Sequence, residues 1–557
     1  MNNNIAFILL DQVRVDMLGT YGHKIVKTPN MDKIAADGVK FNNAFTPASV
    51  CSPARTSLFT GQMPSNHGLM RNSEKGGLGD PSLSNPNIIS EMQDYANYLI
   101  GKWHVGKTVL PRDFGFRGHN FDGYGYPGSG VYKNLVFAQG PEQETRYKDW
   151  LVEKGFEMPE VSNSYFGENS HLRVQELCGL LSGTKEATLP FFIVDEAKKA
   201  VLEAQKEGKP FFVWLNFWGP HTPCIIPEPY YSMYNPEDVV LDKSFYSPME
   251  GKPNHYKDIA KMWGVWNASE ERWKEVIAKF WGYITLIDDA IGEFVKFLKK
   301  EGLYENLFMA ITADHGDAMG AHKLIEKGEF MFDTTYRIPM IIKDPDSNRK
   351  NEEDDNFVYL HDLTPTCNDV AGKNVSSFFD GESLLPILRE GKNNERKGVL
   401  GQLAGHFVYF EQRMWRRKDY KIIFNASDIG ELYDIENDKE EMNNLFYNEE
   451  YKHIKKEMLE ELFTFTKLKN DSFHLEMSSC CINKILKDTI FSYYDEWTGR
   501  GIEPEIQITD KLLFMNGNEQ GIQRIFQNII KNGLDHGEKK ISISLEEVEN
   551  NIRIQIK

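Results

Sequence analysis

The apolar positions of this chain gather in short unbroken runs more often than they alternate. Ile5 to Leu10 is apolar at every position and stops at Asp11; Pro210 to Phe217, Leu307 to Thr312 and Ile338 to Ile342 read in the same way. A run of this length without alternation fits a strand buried on both faces, as in a parallel sheet. Between the runs the spacing becomes helical: Met31 to Gly38, leading into Val39 to Phe45, and the long amphipathic stretch Glu270 to Glu301. Buried strands alternating with helices predict an α/β domain, a large mostly parallel central sheet flanked by helices. Asp11-Gln12, His221 and Asp314-His315 each follow the carboxyl end of such a strand, where sites of open α/β folds collect.

The pattern changes twice. Around 373–395 the chain turns loop-rich and charged, and short antiparallel strands are expected at 405–409, 420–423 and 431–434, closed by a helix over about 449–465. Beyond about 466 the character shifts again, and 545–557 alternates as one strand would. The expected domains are 1–375, a smaller antiparallel-sheet subdomain over 376–465, and a separate tail over 466–557. At 557 residues the chain has room for two to four domains of about 150 residues each.

Composition narrows the function. The net charge of −18 excludes general nucleic-acid binding as the main role, so an anionic substrate must be drawn in by a local basic cluster or a metal. Six cysteines in so long a chain do not form a disulfide framework, and their spacing fits no zinc site. The first apolar run is too short for a signal sequence, and no stretch approaches the roughly 20 apolar residues of a membrane span. The expected setting is cytoplasmic, with no membrane partner.

The richest segment is Cys51-Ser52-Pro53-Ala54-Arg55-Thr56-Ser57-Leu58-Phe59-Thr60-Gly61. Ser52 can cap a helix and Pro53 suits a first turn, which puts the Cys51 side chain near free N–H groups and the positive end of the helix dipole. That place favours an anion such as sulfate or phosphate, and Arg55 adds a planar cation. Asp11-Gln12 and Asp314-His315 are strand-end pairs able to converge on one metal. In Gly101-Lys102-Trp103-His104 an extended backbone puts Lys102 and His104 on one face, a cation beside a proton carrier. His221 sits in Gly219-Pro220-His221-Thr222-Pro223, and Lys327 in Glu326-Lys327-Gly328. Each alone also suits a structural role: a helix cap, a turn histidine, a solvated lysine. Trp214, Trp218, Trp263 and Trp266 suit a core as readily as a sugar platform.

Taken in order, these blocks resemble the type I sulfatases of the alkaline phosphatase superfamily over about residues 4–465. The resemblance rests on strand–Asp–Gln at 11–12, Cys-x-Pro-x-Arg at 51–55, Gly-Lys-Trp-His at 101–104, Gly-Pro-His at 219–221, Asp-His-Gly at 314–316 and Lys-Gly before Arg337-Ile338-Pro339. It implies a sulfatase-like fold and hydrolysis of small-molecule or carbohydrate sulfate esters. Cys51 would be oxidised by a maturase to formylglycine, whose hydrate carries two hydroxyls on one carbon. Asp11, Gln12, Asp314 and His315 would be the metal ligands. Arg55 and Lys102 would hold the hydrate, His104 would take its second proton, and His221 and Lys327 would bind sulfate and assist the leaving oxygen.

Many sulfatases have a carboxylate where this chain has Gln12 and an asparagine where it has His315. The Asp-Gln…Asp-His set also resembles phosphonate monoester and phosphodiester hydrolases on the same scaffold. Calcium is the expected ion, with manganese and magnesium as alternatives. The tail resembles the end of a sensor histidine kinase, with Arg524-x-x-x-Asn528-Ile529-Ile530-Lys531-Asn532 as an N-box-like run. The phosphoacceptor-helix context is missing around His474, so the tail is expected to be an incomplete ATPase-like fragment without kinase activity. A third reading follows from it: an inactive sulfatase-like sensor fusion.

Overall fold

The computed structural model describes residues 3–556 apart from 73–79, 107, 121–140, 167–175, 248, 407–408, 469–477, 494–496, 498–500, 503, 518–521, 524, 528, 531–540 and 549–550. The chain divides into two compact units, Met1–Asn470 and Asp471–Lys557.

The first unit is built on an eight-stranded sheet. Its strands in chain order are β1 (Asn4–Asp11), β2 (Val39–Phe45), β3 (Ala96–Gly101), β4 (Arg117–Asn120), β5 (Phe211–Pro220), β6 (Leu307–Ala313), β7 (Met340–Lys343) and β8 (Glu352–Tyr359). Their order across the sheet is β8-β2-β7-β6-β1-β5-β3-β4. β1 lies in the middle, parallel to β5 and β6, and residues 5–10 are buried on both faces, which is why that run is apolar without alternation. β7 is the exception. The chain returns from β6 through loops and the single turn Asp333–Tyr336, with no long crossover helix, so β7 runs antiparallel to both β6 and β2.

Register is what positions the site. Leu10 pairs with Ala313, Asp11 with Pro220, and Gly101 with Asn216. Four strands therefore end level, and the residues that follow them leave the sheet at one edge.

Helix α1 (Pro29–Ala36) starts before the expected Met31 because Pro29 is preset for a first turn. It stops short of Gly38, where a Cβ would stand 2.2 Å from the Ile342 carbonyl oxygen. Helices α2 (Cys51–Thr60), α3 (Leu189–Glu207), α4 (Asn254–Met262) and α5 (Glu270–Lys300) follow. Ser269 caps α5, Glu270 and Glu271 open it, and Lys299 and Lys300 close it, each charge placed to oppose the helix dipole.

The smaller sheet is an antiparallel meander of β9 (Gly398–Leu403), β10 (Gln412–Arg417), β11 (Tyr420–Asn425) and β12 (Glu431–Asp434). Among the described residues of 405–409, where a strand is expected, none is in a strand. Gly405 turns with φ of 96°, and the His406 N–H donates to Glu329 at 2.6 Å, drawing the chain toward the loop after Lys327. The described residues 405, 406 and 409 are irregular, Phe407 and Val408 lie outside the described set, and the strand forms at 412–417 instead. The closing helix, α6 (Lys452–Leu468), follows the short turn Glu449–Tyr451 and packs Met458 and Leu462 on Leu400, Trp415 and Ile422.

The second unit has its own core of Ile482, Leu486, Trp497, Phe526, Ile530 and Ile543. The stretch read as one strand over 545–557 is instead the end of a hairpin. Ser542–Val548 pairs antiparallel with Asn551–Ile556, Val548 facing Asn551. Of the N-box-like run, Ile529 and Ile530 are helical, while Arg524, Asn528, Lys531 and Asn532 lie outside the described residues, as does His474. Among the described residues no helix is long and apolar enough to cross a membrane.

Candidate active site

Helix α2 is buried along its whole length, and Cys51 is its first residue. Ser52 does not cap it. The position before the helix is Val50, and the Ser52 N–H donates to Asn72 Oδ1 at 3.0 Å. Cys51 nonetheless sits in the first turn, where N–H groups without helical partners and the dipole favour negative charge.

Around Cys51 the strand ends converge. The ligand atoms of Asp11, Cys51, Asp314 and His315 all lie within 4.8 Å of one another, and all four residues are buried. Cys51 Sγ is 3.2 Å from His315 Nε2, whose ring Nδ1 is 2.8 Å from the Gly316 carbonyl. Gln12, with φ of 66°, donates its backbone N–H to Asp314 Oδ1 at 3.1 Å, and His315 N–H donates to the same oxygen at 2.9 Å.

Arg55 lies one turn along α2 and is 1% exposed. It donates to Asp314 Oδ2 at 2.7 Å, Asp11 Oδ2 at 2.9 Å, the Lys102 carbonyl at 3.0 Å and Asn216 Oδ1 at 3.2 Å. Lys102 Nζ donates to Asp11 Oδ2 at 2.5 Å and lies 4.0 Å from the Trp218 ring centroid. Lys327 Nζ reaches Gln12 Oε1 at 2.6 Å, Glu326 Oε2 at 2.7 Å and His221 Nε2 at 2.5 Å. Gln12 Nε2 donates to Asp317. His104 is not on an extended segment. Its φ is 52°, and this turn brings the ring into hydrogen-bonding contact with Cys51. The ten residues singled out from the sequence thus fall into one contact network. Lys327 is buried in it, not solvated.

The charges explain the titration. Burial pushes the Asp11 carboxyl up, but Lys102 and Arg55 outweigh this and leave it at about 2. Burial also opposes ionisation of Cys51; Lys102, Lys327 and His315 overcome it, and its thiol lies well below the usual range. His315 is pushed down by burial but up by Asp314 and Cys51, to about 9. Lys102, Lys327 and His315 together thus favour negative charge at residue 51.

The donor set fits a divalent cation. Asp11 Oδ1 is buried without a hydrogen-bond partner among the described residues, while its other oxygen takes both Lys102 and Arg55. A carboxylate oxygen left this way costs free energy unless something positive meets it. Asp11, Asp314, His315 and the Gln12 amide oxygen would supply the oxygen-rich, one-imidazole set that calcium or manganese accepts.

Three contributors, Asn216, Asp317 and Glu326, were not singled out from the sequence, and a fourth, Trp218, was read only as core or sugar platform. Asn216 receives Arg55 and breaks an otherwise apolar strand, Phe211–Phe217, which was its visible signal. Trp218 stacks near Lys102, and its ring centroid lies 4.9 Å from that of His221. Asp317 and Glu326 form a buried acidic pair behind Gln12 and Lys327; burial and Glu326 raise Asp317 to about 6. Their signal was only that Asp317 lies three residues after Asp314 and that Glu326 adjoins Lys327.

Residues 3–373 match the family model "Sulfatase", and residues 320–468 match "N-sulphoglucosamine sulphohydrolase, C-terminal". An uncharacterized protein of Haemophilus influenzae is 50% identical over 44% of this chain and 93% of its own length. An arylsulfatase of Clostridium perfringens is 29% identical over 83% of this chain and 95% of its own. Among solved structures, the phosphonate monoester hydrolase of Agrobacterium radiobacter superposes with a TM-score of 0.69 at 24% identity, covering 84% of this chain and 96% of that one, a likeness of fold. The sulfatase model spans more than half of the chain, and on that ground the protein belongs to the sulfatase family of sulfuric ester hydrolases.

Proposed function

We propose that this chain hydrolyses sulfate esters at residue 51, after a maturase has converted Cys51 to formylglycine, releasing inorganic sulfate and an alcohol. The observation that carries the reading is the position of Cys51: first residue of a buried helix, 3.2 Å from His315, with Lys102 and Lys327 close enough to stabilise an anion there. A divalent ion held by Asp11, Gln12, Asp314 and His315 supplies, when bound, Lewis-acid stabilisation of sulfate oxygens.

The chain's own residues do the rest. Arg55 and Lys102 hold the Asp11 and Asp314 carboxylates in place. His104, in contact with residue 51, takes the proton from its second hydroxyl, which frees sulfate. Lys327, touching His221, binds a sulfate oxygen, and the pair protonates the departing ester oxygen. Glu326 and Gln12 fix the Lys327 ammonium in that position. The match of residues 320–468 to a sulphoglucosamine sulphohydrolase C-terminus supports a saccharide leaving group.

A second reading, hydrolysis of phosphonate monoesters or phosphodiesters with the same nucleophile, draws on Gln12 and His315 and on the fold shared with the Agrobacterium hydrolase. Turnover of nitrophenyl sulfate and of a nitrophenyl phosphonate monoester, with protein coexpressed with a maturase, separates the two. Faster sulfate release is expected, and the reverse order overturns the ranking. Mass spectrometry of the Cys51 peptide tests the nucleophile itself. An unmodified thiol in fully active protein would sink the formylglycine assignment.

A further inference from the structure

A second cleft, of about 510 Å³, lies outside the network just described, and Phe245, Tyr246, Glu250, Lys257, Trp266 and Lys323 are on its wall. The Trp266 indole is flanked by two ammonium groups. Lys257 Nζ is 5.1 Å and Lys323 Nζ 5.8 Å from its ring centroid, and Lys323 is 5.3 Å from the Phe245 ring. Among the described residues neither lysine is within salt-bridge distance of a carboxylate, although Glu250 stands on the same wall. Both lysines of the catalytic network, Lys102 and Lys327, by contrast touch a carboxylate. Two ammonium groups beside a half-buried aromatic ring make a place for an anionic ligand with an apolar face.

Two connections tie this cleft to the catalytic centre. The first is the loop from Asp317 to Lys327. Its neck is closed by Asp317, which accepts the N–H groups of Met319 at 2.6 Å and Glu326 at 3.0 Å, and by the Ala318 N–H donating to the Glu326 carbonyl at 2.9 Å. Lys327 leaves that neck toward Gln12 and His221. At the tip, His322 and Lys323 both have positive φ, 54° and 56°, a conformation side-chain-bearing residues avoid unless the surroundings impose it. The His322 N–H donates to Ser244 Oγ at 3.2 Å, which seats the tip beside Phe245. Lys323 and Lys327 are four residues apart, so their Cα atoms stand within about 14 Å of each other.

The second connection is α4, which carries Lys257. His255 on the same helix donates from Nε2 to the Glu329 carbonyl at 2.6 Å, two residues beyond Lys327. Both walls of the cleft are thereby fastened to the segment that delivers Lys327.

From this arrangement we infer that the cleft is a specificity subsite for a second anionic substituent, a sulfate or a carboxylate, on a saccharide whose scissile sulfate ester lies at Cys51. Lys257 and Lys323 receive the anion, and the apolar face of the sugar ring rests on Trp266. This rests on the sulfate-ester reading of the catalytic centre and adds the substrate class: saccharides bearing at least two negative groups. It also gives a role to the loop conformation, since the same loop presents Lys327 to the ester and Lys323 to the neighbouring group.

The test compares matured full-length protein with Lys257→Ala/Lys323→Ala and Trp266→Ala variants on three disaccharides: one disulfated, one monosulfated with a uronic carboxylate, and one monosulfated and otherwise neutral. Wild type should prefer the first two over the third by at least about tenfold in kcat/KM. In the double lysine variant that preference should fall to within about twofold of unity, mainly through KM. An unchanged preference overturns the inference. Calorimetric binding of the disulfated disaccharide separates this from failure of the parent reading. If no sulfate ester turns over yet binding weakens at least tenfold in the lysine variant, the subsite stands and the activity assignment falls. Binding that is indifferent to all three residues removes the subsite whatever the turnover.

Discussion

Replacing Arg55 by Met tests the claim that this guanidinium exists to balance the metal-site carboxylates. Arg55 is fully enclosed and makes four hydrogen bonds, two of them to the carboxylates of Asp11 and Asp314. Methionine keeps much of the packing volume and removes the charge. Breaking a buried pair by removing one partner costs about 3–5 kcal/mol, because the other charge is left uncompensated. Asp11 keeps Lys102, and Asp314 keeps the Gln12 and His315 N–H groups, so the lower end, about 3 kcal/mol, applies here. Unfolding entropy of about 2.1 cal/mol/K per residue gives about 1 kcal/mol/K for a unit spanning Met1–Asn470, so the apparent midpoint in chelator should fall by about 3 °C. Scanning calorimetry at one fixed scan rate reads this. Adding calcium should raise the variant's midpoint by more than the wild type's, since a divalent cation then meets carboxylates that have lost their counter-charge. A variant with the wild-type midpoint in chelator, or one gaining no more from calcium, would refute the argument that Arg55 acts through Asp11 and Asp314.

Other consequences follow from the same geometry. His104→Gln should release about one equivalent of nitrophenol per active site and then stall, because the second proton has no acceptor; steady turnover at the wild-type rate in stopped-flow assays would contradict the assigned role. Free sulfate should bind at least about tenfold more weakly in chelator than with calcium by calorimetry, and equal affinities would remove the metal from anion recognition. His67 supplies an acid-side pH dependence outside the site. Burial and nearby His361 lower its pKa from 6.5 to about 3; its Nε2 is 2.9 Å from Ser57 Oγ, and its Nδ1 accepts the Leu69 N–H at 3.1 Å. The folded state binds fewer protons than the unfolded state, so the stability this group contributes is present above pH 6.5 and lost as pH falls toward 3, by about 1.4 kcal/mol per pH unit. His67→Gln should flatten that part of the curve in denaturant titrations, and an unchanged slope would assign the acid sensitivity elsewhere.

The central sheet was legible because its strands are buried on both faces and so carry no alternation to misread. What the runs did not contain was direction. Met340–Lys343 is as apolar as its neighbours, and it is antiparallel only because the connection before it has no crossover helix. The false strand at 405–409 arose from local alternation that Gly405 and the bond from His406 to Glu329 override, a tertiary effect with no periodic trace. The site residues were visible as strand-end pairs and motif blocks, and strand register then accounts for how they meet. Asp317 and Glu326 were not visible, because a carboxylate that acts by holding another side chain has no spacing of its own. The positive φ values at Gln12, His104 and Glu326 were also hidden, since none is the glycine that would announce them.

The cations of the site bear on what the ion is for. Arg55 and Lys102 both point at Asp11, Arg55 also at Asp314, and Lys327 at Glu326. With Asp317 counted, four carboxylates stand against the three fixed cations Arg55, Lys102 and Lys327, so the basic residues of the network are largely matched by acidic ones. A divalent cation held at the buried Asp11 oxygen would add positive charge at that point. On this argument the basic residues set the geometry and keep Asp11 well below the usual carboxylate range, and a bound divalent ion would add to the attraction of an anion.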